Sequence, residues 1–471
     1  MPTYTPHTYT FTATPLTPIH VGTGETLDTS RYLLVGDRLV EISLARLTAR
    51  LSGKELEELT RLAAGSDLKR LRDFLHHRAD LERDGIASMA VARTFADTFQ
   101  KKQYDPRNQL LVNCMTRNYQ AGHGYLPGTA IKGALRTAMV SCLAEKDDAF
   151  QRARPRDGRN LEERALHFDF QRGLEQDPFR TVKVADADLP ADATVVSRFV
   201  NLHLDPQKPG SKGIEAWYER LRSRADGAEP PTFTVEIQVD EARQRHHGRD
   251  LVGRPICLDD LREAANRFYA GRFKAEWERF HCHGHMGTAA ALGRAFGANG
   301  AFHLPQAPAI LLRVGRFSHF ESLSVDHLRE GFNIQARKRI TEGNTRNLCV
   351  LDGGGSVPFG WLLLTPCSGN PAEQLRQAPV FQPGATAIPF QTVGAGLAGP
   401  SSAAQGPRQG PPTPHPGITP EQLARRREMK IGEWLTSVKK IDPTKYVQWH
   451  RLNHPKADEL RAEFHRWQQG Q

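Results

Sequence analysis

Three short segments gather glycines, cations and aromatics in patterns suited to holding a phosphate chain. The first is Pro18-Ile19-His20-Val21-Gly22-Thr23-Gly24-Glu25. Two glycines there let backbone come close to a ligand, and successive N–H groups can form an anion-binding nest; taken alone, an ordinary turn is the better reading of the same residues. The spacing is neither GxxxxGK[ST] nor GxGxxG opening a helix, which excludes a Walker loop and a dinucleotide fingerprint. The second segment is Tyr125-Leu126-Pro127-Gly128-Thr129-Ala130-Ile131-Lys132-Gly133-Ala134-Leu135-Arg136. Thr129 suits an N-cap, the helix start offers free N–H groups and a positive dipole end, and Lys132 and Arg136 share one face. Gly133 costs about 1 kcal/mol against alanine inside a helix, so a strand or an RNA backbone is expected to pass close by. The alternative is a capped amphipathic helix with two solvated cations. The third is Arg313-Val314-Gly315-Arg316-Phe317-Ser318-His319-Phe320, followed by Arg337-Lys338-Arg339. Arginine forks to phosphate and aromatics stack on bases; a solvated edge strand and charged loop is the plainer reading.

One further cluster looks metal-like: His281, Cys282, His283 and His285. Zinc takes four ligands, usually from pairs well apart in sequence. Candidates packed into one short run wrap a single ion poorly, and no second pair is evident, so no metal and no cofactor are expected.

The elements that must position these segments are legible from periodicity. Residues 7–20 alternate threonine with larger side chains, which predicts a strand. Gly36-Asp37 between Tyr32–Val35 and Arg38–Ile42 predicts a hairpin. Leucines at helical spacing predict helix from Ser43 to about Ala79, and further helices over 128–146 and 258–281. The charged run at 151–180 reads as an exposed loop. Residues 181–240 read as short strands, and further strands are expected around Ile310–Val314 and Trp361–Thr365. Strands and helices without a βαβ rhythm point to α+β. A faint echo, Gly128-Thr129-Ala130 against Gly287-Thr288-Ala289, hints at two related halves. Residues 368–420 are rich in Pro, Gly, Ala and Gln and read as a flexible linker. Residues 421–471 regain helical spacing, with Trp434, Trp449 and Trp467 set among basic side chains; they suit RNA contact or docking on a protein partner equally.

Composition narrows the class. Over 471 residues, 63 Lys+Arg against 53 Asp+Glu give a net charge of +10, which favours a polyanionic partner. The cysteines Cys114, Cys142, Cys257, Cys282, Cys349 and Cys367 are scattered without a CxxC and read as reduced thiols. No apolar run approaches the roughly 18 residues that span a bilayer. The first residues lack the charged and apolar regions of a signal peptide, so a cytoplasmic location is expected.

The ordered set TPLTPIHVGTGE, YLPGTAIKGALRTAM, RVGRFSHFES and PFGWLLLTP resembles RAMP-superfamily proteins. It is most similar to the fifth Csm subunit of type III-A CRISPR effector complexes, over roughly residues 8–366. The resemblance implies two RRM-like (ferredoxin-like) RAMP domains with insertions, a flexible linker and a helical C-terminal extension. The corresponding division is 1–150 for the first domain, 151–257 for an insertion and connecting region, 258–367 for the second, 368–420 for the linker and 421–471 for a basic tail. It implies a non-catalytic subunit that binds crRNA at its 3′-end side, caps the backbone filament and supports crRNA maturation. The implied partners are crRNA, target RNA, other Csm subunits including the backbone RAMP subunit, and host nucleases, with no membrane. Carried over by motif, the RNA-binding residues are His20, Gly22, Gly24, Gly128, Thr129, Lys132, Arg136, Arg313, Gly315 and Phe317; Arg316, Arg337 and Arg339 join them on charge. Related backbone subunits cleave target RNA with a loop aspartate, and Asp28 lies near the corresponding loop. The rival readings are such a backbone subunit, an end subunit of the Cmr complex, or a metal-independent crRNA-processing ribonuclease using His20 or another histidine as base. The segment after 368 is not part of the usual family core.

Overall fold

The alternating threonines of the N-terminal segment build the strand His7–Pro15, which buries Tyr9, Phe11 and Ala13 and leaves His7 and Thr8 exposed. This computed structural model describes residues 6–367, apart from 66, 106–109, 121, 153–159, 170–173, 204–215, 247–248, 284–286, 297–300, 303–307, 327 and 334–336, together with the two-residue strand Ile388–Pro389. The expected linker and tail lie outside the described residues, that short strand excepted.

His7–Pro15 is the central strand of a five-stranded antiparallel sheet. It pairs with Phe233–Val239 on one side and Trp361–Pro366 on the other. Val182–Val184 and Ile310–Arg313 form the outer strands. In Phe233–Val239 every second residue (Phe233, Val235, Ile237, Val239) turns inward. The helices Gly128–Glu145 and Leu258–Arg279 lie against this sheet and against each other, with Tyr269 Oη donating to Ala134 O at 3.1 Å. Phe11, Ile131, Leu135, Tyr269, Phe273 and Trp361 belong to one continuous core between these layers.

A second, mixed sheet runs in the order Gly22–Leu27, Val112–Met115, Ala216–Leu221, Thr194–His203, Gly85–Val91, Arg38–Ile42, Tyr32–Val35. Two of its pairings are parallel, and Thr345–Val350 also pairs with Thr194–His203. The architecture is α+β, as expected. The hairpin at Gly36 forms as read, with Gly36 at φ +62°. The expected segments 1–150, 151–257 and 258–367 do not correspond to separate sheets, since the first strand sits between strands from the other two.

Other expectations need correction. The single helical stretch 43–79 is three helices, Leu44–Arg50, Gly53–Ala64 and Leu68–Arg78. Ser43, Ser52 and Asp67 each cap a new start, Ser52 in a capping box with Glu55. The charged run 151–180 is not simply an exposed loop: Leu161–Leu166 is helical, and Leu166, Phe168 and Phe179 are buried in the main core. The glycines at 22 and 24 lie not in a turn but in the strand Gly22–Leu27, whose register slips between Gly22 and Thr26.

Charges also sit inside the molecule. Glu276, on the long helix, accepts from Arg313 at 2.5 Å and lies 3.0 Å from Arg346 and 3.5 Å from His281. Glu321 pairs with Arg346 at 3.1 Å. Burial pushes the Glu276 carboxyl up, but Arg313, His281 and Arg346 outweigh it and hold it well below the usual carboxylate range. Burial keeps His281 neutral, Glu276 offsetting this only in part. Burial and then Arg313 bring His319 down to about 3. These groups set a pH dependence. Both histidines are depressed in the fold, so their contribution is complete above the unfolded pKa of about 6.5 and declines as pH falls below it. The Glu276 contribution is likewise complete above about 4.3 and is lost at more acid pH. Thermal melts should therefore fall progressively from about pH 6.5 downward, less steeply in His281→Gln. Glu276→Gln should lose about 3–5 kcal/mol at neutral pH in denaturant titrations, because it strands the buried Arg313 and leaves Arg346 with Glu321 alone.

Candidate nucleic-acid interface

The chain leaves the first strand at Pro15 and crosses two other segments before it reaches the second sheet. Leu16 N donates to Trp361 O at 2.9 Å, Gly360 N to Pro18 O at 2.8 Å, Val314 N to Gly360 O at 2.8 Å, and Arg316 N to His20 O at 2.9 Å. Three stretches far apart in sequence are thereby laced together by backbone alone. The approach is close enough to demand glycine: Gly315 has φ +89°, and a Cβ there would sit 2.5 Å from His20 O.

His20 lies beneath this seam, 2% exposed. Its Nδ1 donates to Glu219 O at 2.6 Å, its ring meets Tyr218 edge-on at 4.9 Å, and burial lowers its pKa, so the ring is neutral. A Cβ on Gly22 would stand 2.5 Å from His20 Nε2. An enclosed, backbone-bonded imidazole neither touches RNA nor serves as a solvent-facing base, so the expected contact role of His20 becomes one of support.

Phe317 is half-buried on the same seam, with ring centroids 4.8 Å from Phe199, 5.0 Å from Tyr218 and 4.9 Å from Phe359. Arg316 is exposed, its guanidinium 5.9 Å from the ring centroids of Tyr218 and of Phe317. Gly22–Thr26 is exposed throughout, with Gly24 at φ +91°. The structure thus brings His20, Gly22, Gly315, Arg316 and Phe317 together. Sequence reasoning missed Phe199, Tyr218 and Phe359 beneath them; each sits in or beside a strand whose partner lies far away in the chain.

Arg313 is the clearest correction. It was expected to reach phosphate, yet it is 3% exposed and its guanidinium is committed to Glu276 and to Phe359 O. Every residue of Ile310–Arg313 is buried, so no face of that strand meets solvent.

The helix start differs from expectation as well. Pro127, not Thr129, occupies the cap position, with no side-chain cap bond. Gly128 N donates instead to Asp186 Oδ1 at 2.7 Å, so a carboxylate already meets the positive dipole end. Gly128 packs against Val184 O, where a Cβ would collide. Arg136 is not a solvated cation: it pairs with Asp177 at 2.9 Å and Glu162 at 2.7 Å and lies 5.0 Å from the Phe179 ring. Lys132 is half-buried; burial lowers its pKa, Asp177 opposes this, and Arg136 and Lys183 add to it. Thr129 and Gly133 are exposed, and nothing lies within 4 Å of where a Gly133 side chain would begin. No strand of the described protein passes there; the glycine opens a bare place on the surface beside Lys132.

Arg337, Lys338 and Arg339 are exposed on or beside the hairpin of Gly331–Asn333 with Lys338–Ile340, where Arg339 pairs with Glu330 at 2.9 Å. Asp28 accepts from Ser30 N at 2.7 Å and Ser30 Oγ at 2.5 Å, which ties it into a local turn. Among the described residues no group of three or more His, Cys, Asp and Glu is placed to hold a metal. His281 is buried against Glu276, whereas His285 and the side chain of His283 lie outside the described residues.

The family model described as the RAMP superfamily matches residues 12–292. Two solved structures are similar. One is a chain from the cryo-EM structure of a Csm–crRNA–target RNA ternary complex of a type III-A CRISPR-Cas system, 18% identical, with TM-score 0.53, covering 76% of this chain and 100% of that chain. The other is the crystal structure of T. onnurineus Csm5, 16% identical, with TM-score 0.47, covering 74% and 99%. At such identities the likeness is one of fold. No curated protein matches the chain.

The two cations of the helix should separate by experiment. Arg136→Ala should lower the melting temperature, because it leaves Asp177 without its partner. Lys132→Ala should leave the melt unchanged and reduce the salt dependence of RNA binding by a fraction of one phosphate contact, roughly 0.7 or less in log–log slope.

Proposed function

The chain belongs to the RAMP superfamily, and on that premise we propose that it is a crRNA-binding subunit of a type III-A (Csm) CRISPR effector complex. In this reading it sits at the 3′-end side of the guide and ends the backbone filament. It supports assembly and crRNA maturation, alongside target RNA, the backbone RAMP subunit and the other Csm subunits, with host nucleases recruited for trimming. Its two RRM-like halves would be marked by the Gly-Thr-Ala runs at the starts of Gly128–Glu145 and Thr288–Phe296.

The observation that carries this reading is the glycine-laced seam. It holds an exposed guanidinium, Arg316, and the half-buried ring of Phe317 at fixed positions beside the exposed, glycine-bearing backbone of Gly22–Thr26. A guanidinium that forks to phosphate, a ring edge near a base and a strand that admits close backbone approach together suit a ribose-phosphate chain. The net charge of +10 favours the same partner. The similar chain of known structure comes from a complex that holds crRNA and target RNA. Binding without cleavage is the reading that fits His20 enclosed against Glu219 and Asp28 tied to Ser30. A cytoplasmic site of action belongs to the same proposal; no helix among the described residues is long and apolar enough to cross a membrane.

RNA extracted from the affinity-purified assembly and sequenced should be guide RNA. In filter binding of single-stranded RNA, Arg316→Ala should reduce the slope of log affinity against log salt by about 0.7 while leaving the melt unchanged. An unchanged slope would remove this seam as the contact surface.

A further inference from the structure

Six arginines of the described protein are buried: Arg72, Arg220, Arg262, Arg313, Arg329 and Arg346. Five of them pair with a carboxylate, namely Asp226, Asp259, Glu276, Asp326 and the Glu276–Glu321 pair in turn. Arg72 is the exception. It is 7% exposed; its Nε lies 3.4 Å from Thr29 O and its Nη1 donates to Gln103 O. Its Nη2 has no hydrogen-bond partner among the described residues, and it makes no ion pair there. Asp28 is held by Ser30, and Asp73, which lines the same cavity as Arg72, accepts from the hydroxyl of Tyr104 at 3.3 Å. A buried cation lacking a counter-charge is costly, and burial accordingly depresses this guanidinium's pKa.

Arg72 lines a cavity of about 370 Å³, enclosed by the helices Leu68–Arg78 and Arg93–Lys102 and the strand Tyr32–Val35. That volume falls within the range of small-ligand sites, about 300–1,000 Å³. Its walls include Tyr32, Phe99 and Tyr104. Arg72 already lies 5.0 Å from the Phe99 ring centroid, and Lys69 Nζ lies 5.7 Å from that of Tyr104, which is 42% exposed. The cavity is therefore lined by Arg72, which no described carboxylate pairs with, by Asp73 and His76, and by the rings of Tyr32, Phe99 and Tyr104, with Lys69 beside Tyr104.

We propose that this cavity binds a nucleoside phosphate, its phosphate meeting the guanidinium of Arg72 and its base stacking on Tyr104. The ligand is either a free mononucleotide or the terminal nucleotide of an RNA strand; only the second source rests on the RNA-binding reading above. A guanidinium meets a phosphate through charge-assisted bonds, and a base stacks on an aromatic ring without regard to its identity.

Calorimetric titration of the full chain tests this, with UMP, with a short RNA carrying a terminal phosphate and with the same RNA dephosphorylated. The wild type should bind UMP or the phosphorylated RNA. Arg72→Gln and Tyr104→Ala should each weaken that binding about tenfold or more, and Arg316→Ala should leave UMP binding unchanged. Tyr104 is exposed, so its variant reports even where Arg72→Gln does not fold. Saturation by UMP identifies a free nucleotide; preference for the phosphorylated over the dephosphorylated RNA, without UMP binding, identifies the RNA end. Failure of UMP together with equal binding of the two RNAs overturns the proposal and leaves the RNA-binding reading intact. UMP binding with no RNA binding does the reverse. Ligand binding that is unchanged in Tyr104→Ala also overturns it.

Discussion

The carbonyl of His20 meets the backbone at Gly315 and Arg316, and much of the candidate interface depends on that meeting. It is possible only because residue 315 has no side chain and adopts φ +89°. Once the contact is made, the strand that ends at Arg313 and the loop that follows have fixed and opposite fates. Arg313 turns inward to Glu276, while Arg316, three residues later, stands in solvent. Phe317 follows Arg316 and rests on Phe199, Tyr218 and Phe359. A side chain at 315 would push the two segments apart and disturb the imidazole, the aromatic cluster and the exposed cation together.

The same structure revises what the basic composition means. Several cations that look available in sequence are internal. Arg313 and Arg346 neutralise Glu276, and Arg136 holds Asp177 and Glu162. Cations committed to internal carboxylates do not attract a polyanion, so the surface potential comes from the exposed remainder, Arg316 and Lys338 among them. Which cation is free is decided by the acids the fold brings to it.

That distinction explains what was legible in advance. Short-range patterns were readable because their causes are local. Threonine alternation over 7–20 gave the strand that forms at 7–15, Gly36-Asp37 the hairpin, and amphipathic patterning the helices at 128 and 258. The glycine-bearing loop and Gly315-Arg316-Phe317 were also visible as segments with unusual composition. Their adjacency was not, because it is written in bonds between residue 20 and residue 316. Nor could the fate of Thr129 be read: it matches a cap by type, yet Asp186 reaches the helix start from nearly sixty positions away and takes that part. Breaks within 43–79 turn on single serines and an aspartate that cap locally, a weaker signal than the leucine periodicity that ran through them.

The place of His7–Pro15 at the middle of its sheet bears on how the molecule is made. This strand leaves the ribosome before the rest of its sheet, and its two neighbours, Phe233–Val239 and Trp361–Pro366, emerge more than two hundred and three hundred residues later. Until residue 239 has emerged both of its edges stay open, and one stays open until residue 366; unpaired edges invite pairing with other chains. Contacts of such sequence separation also slow folding, because loop closure must precede any gain. Translation must therefore pass residue 366 before this sheet can close, which makes the nascent chain a natural client for chaperones up to that point.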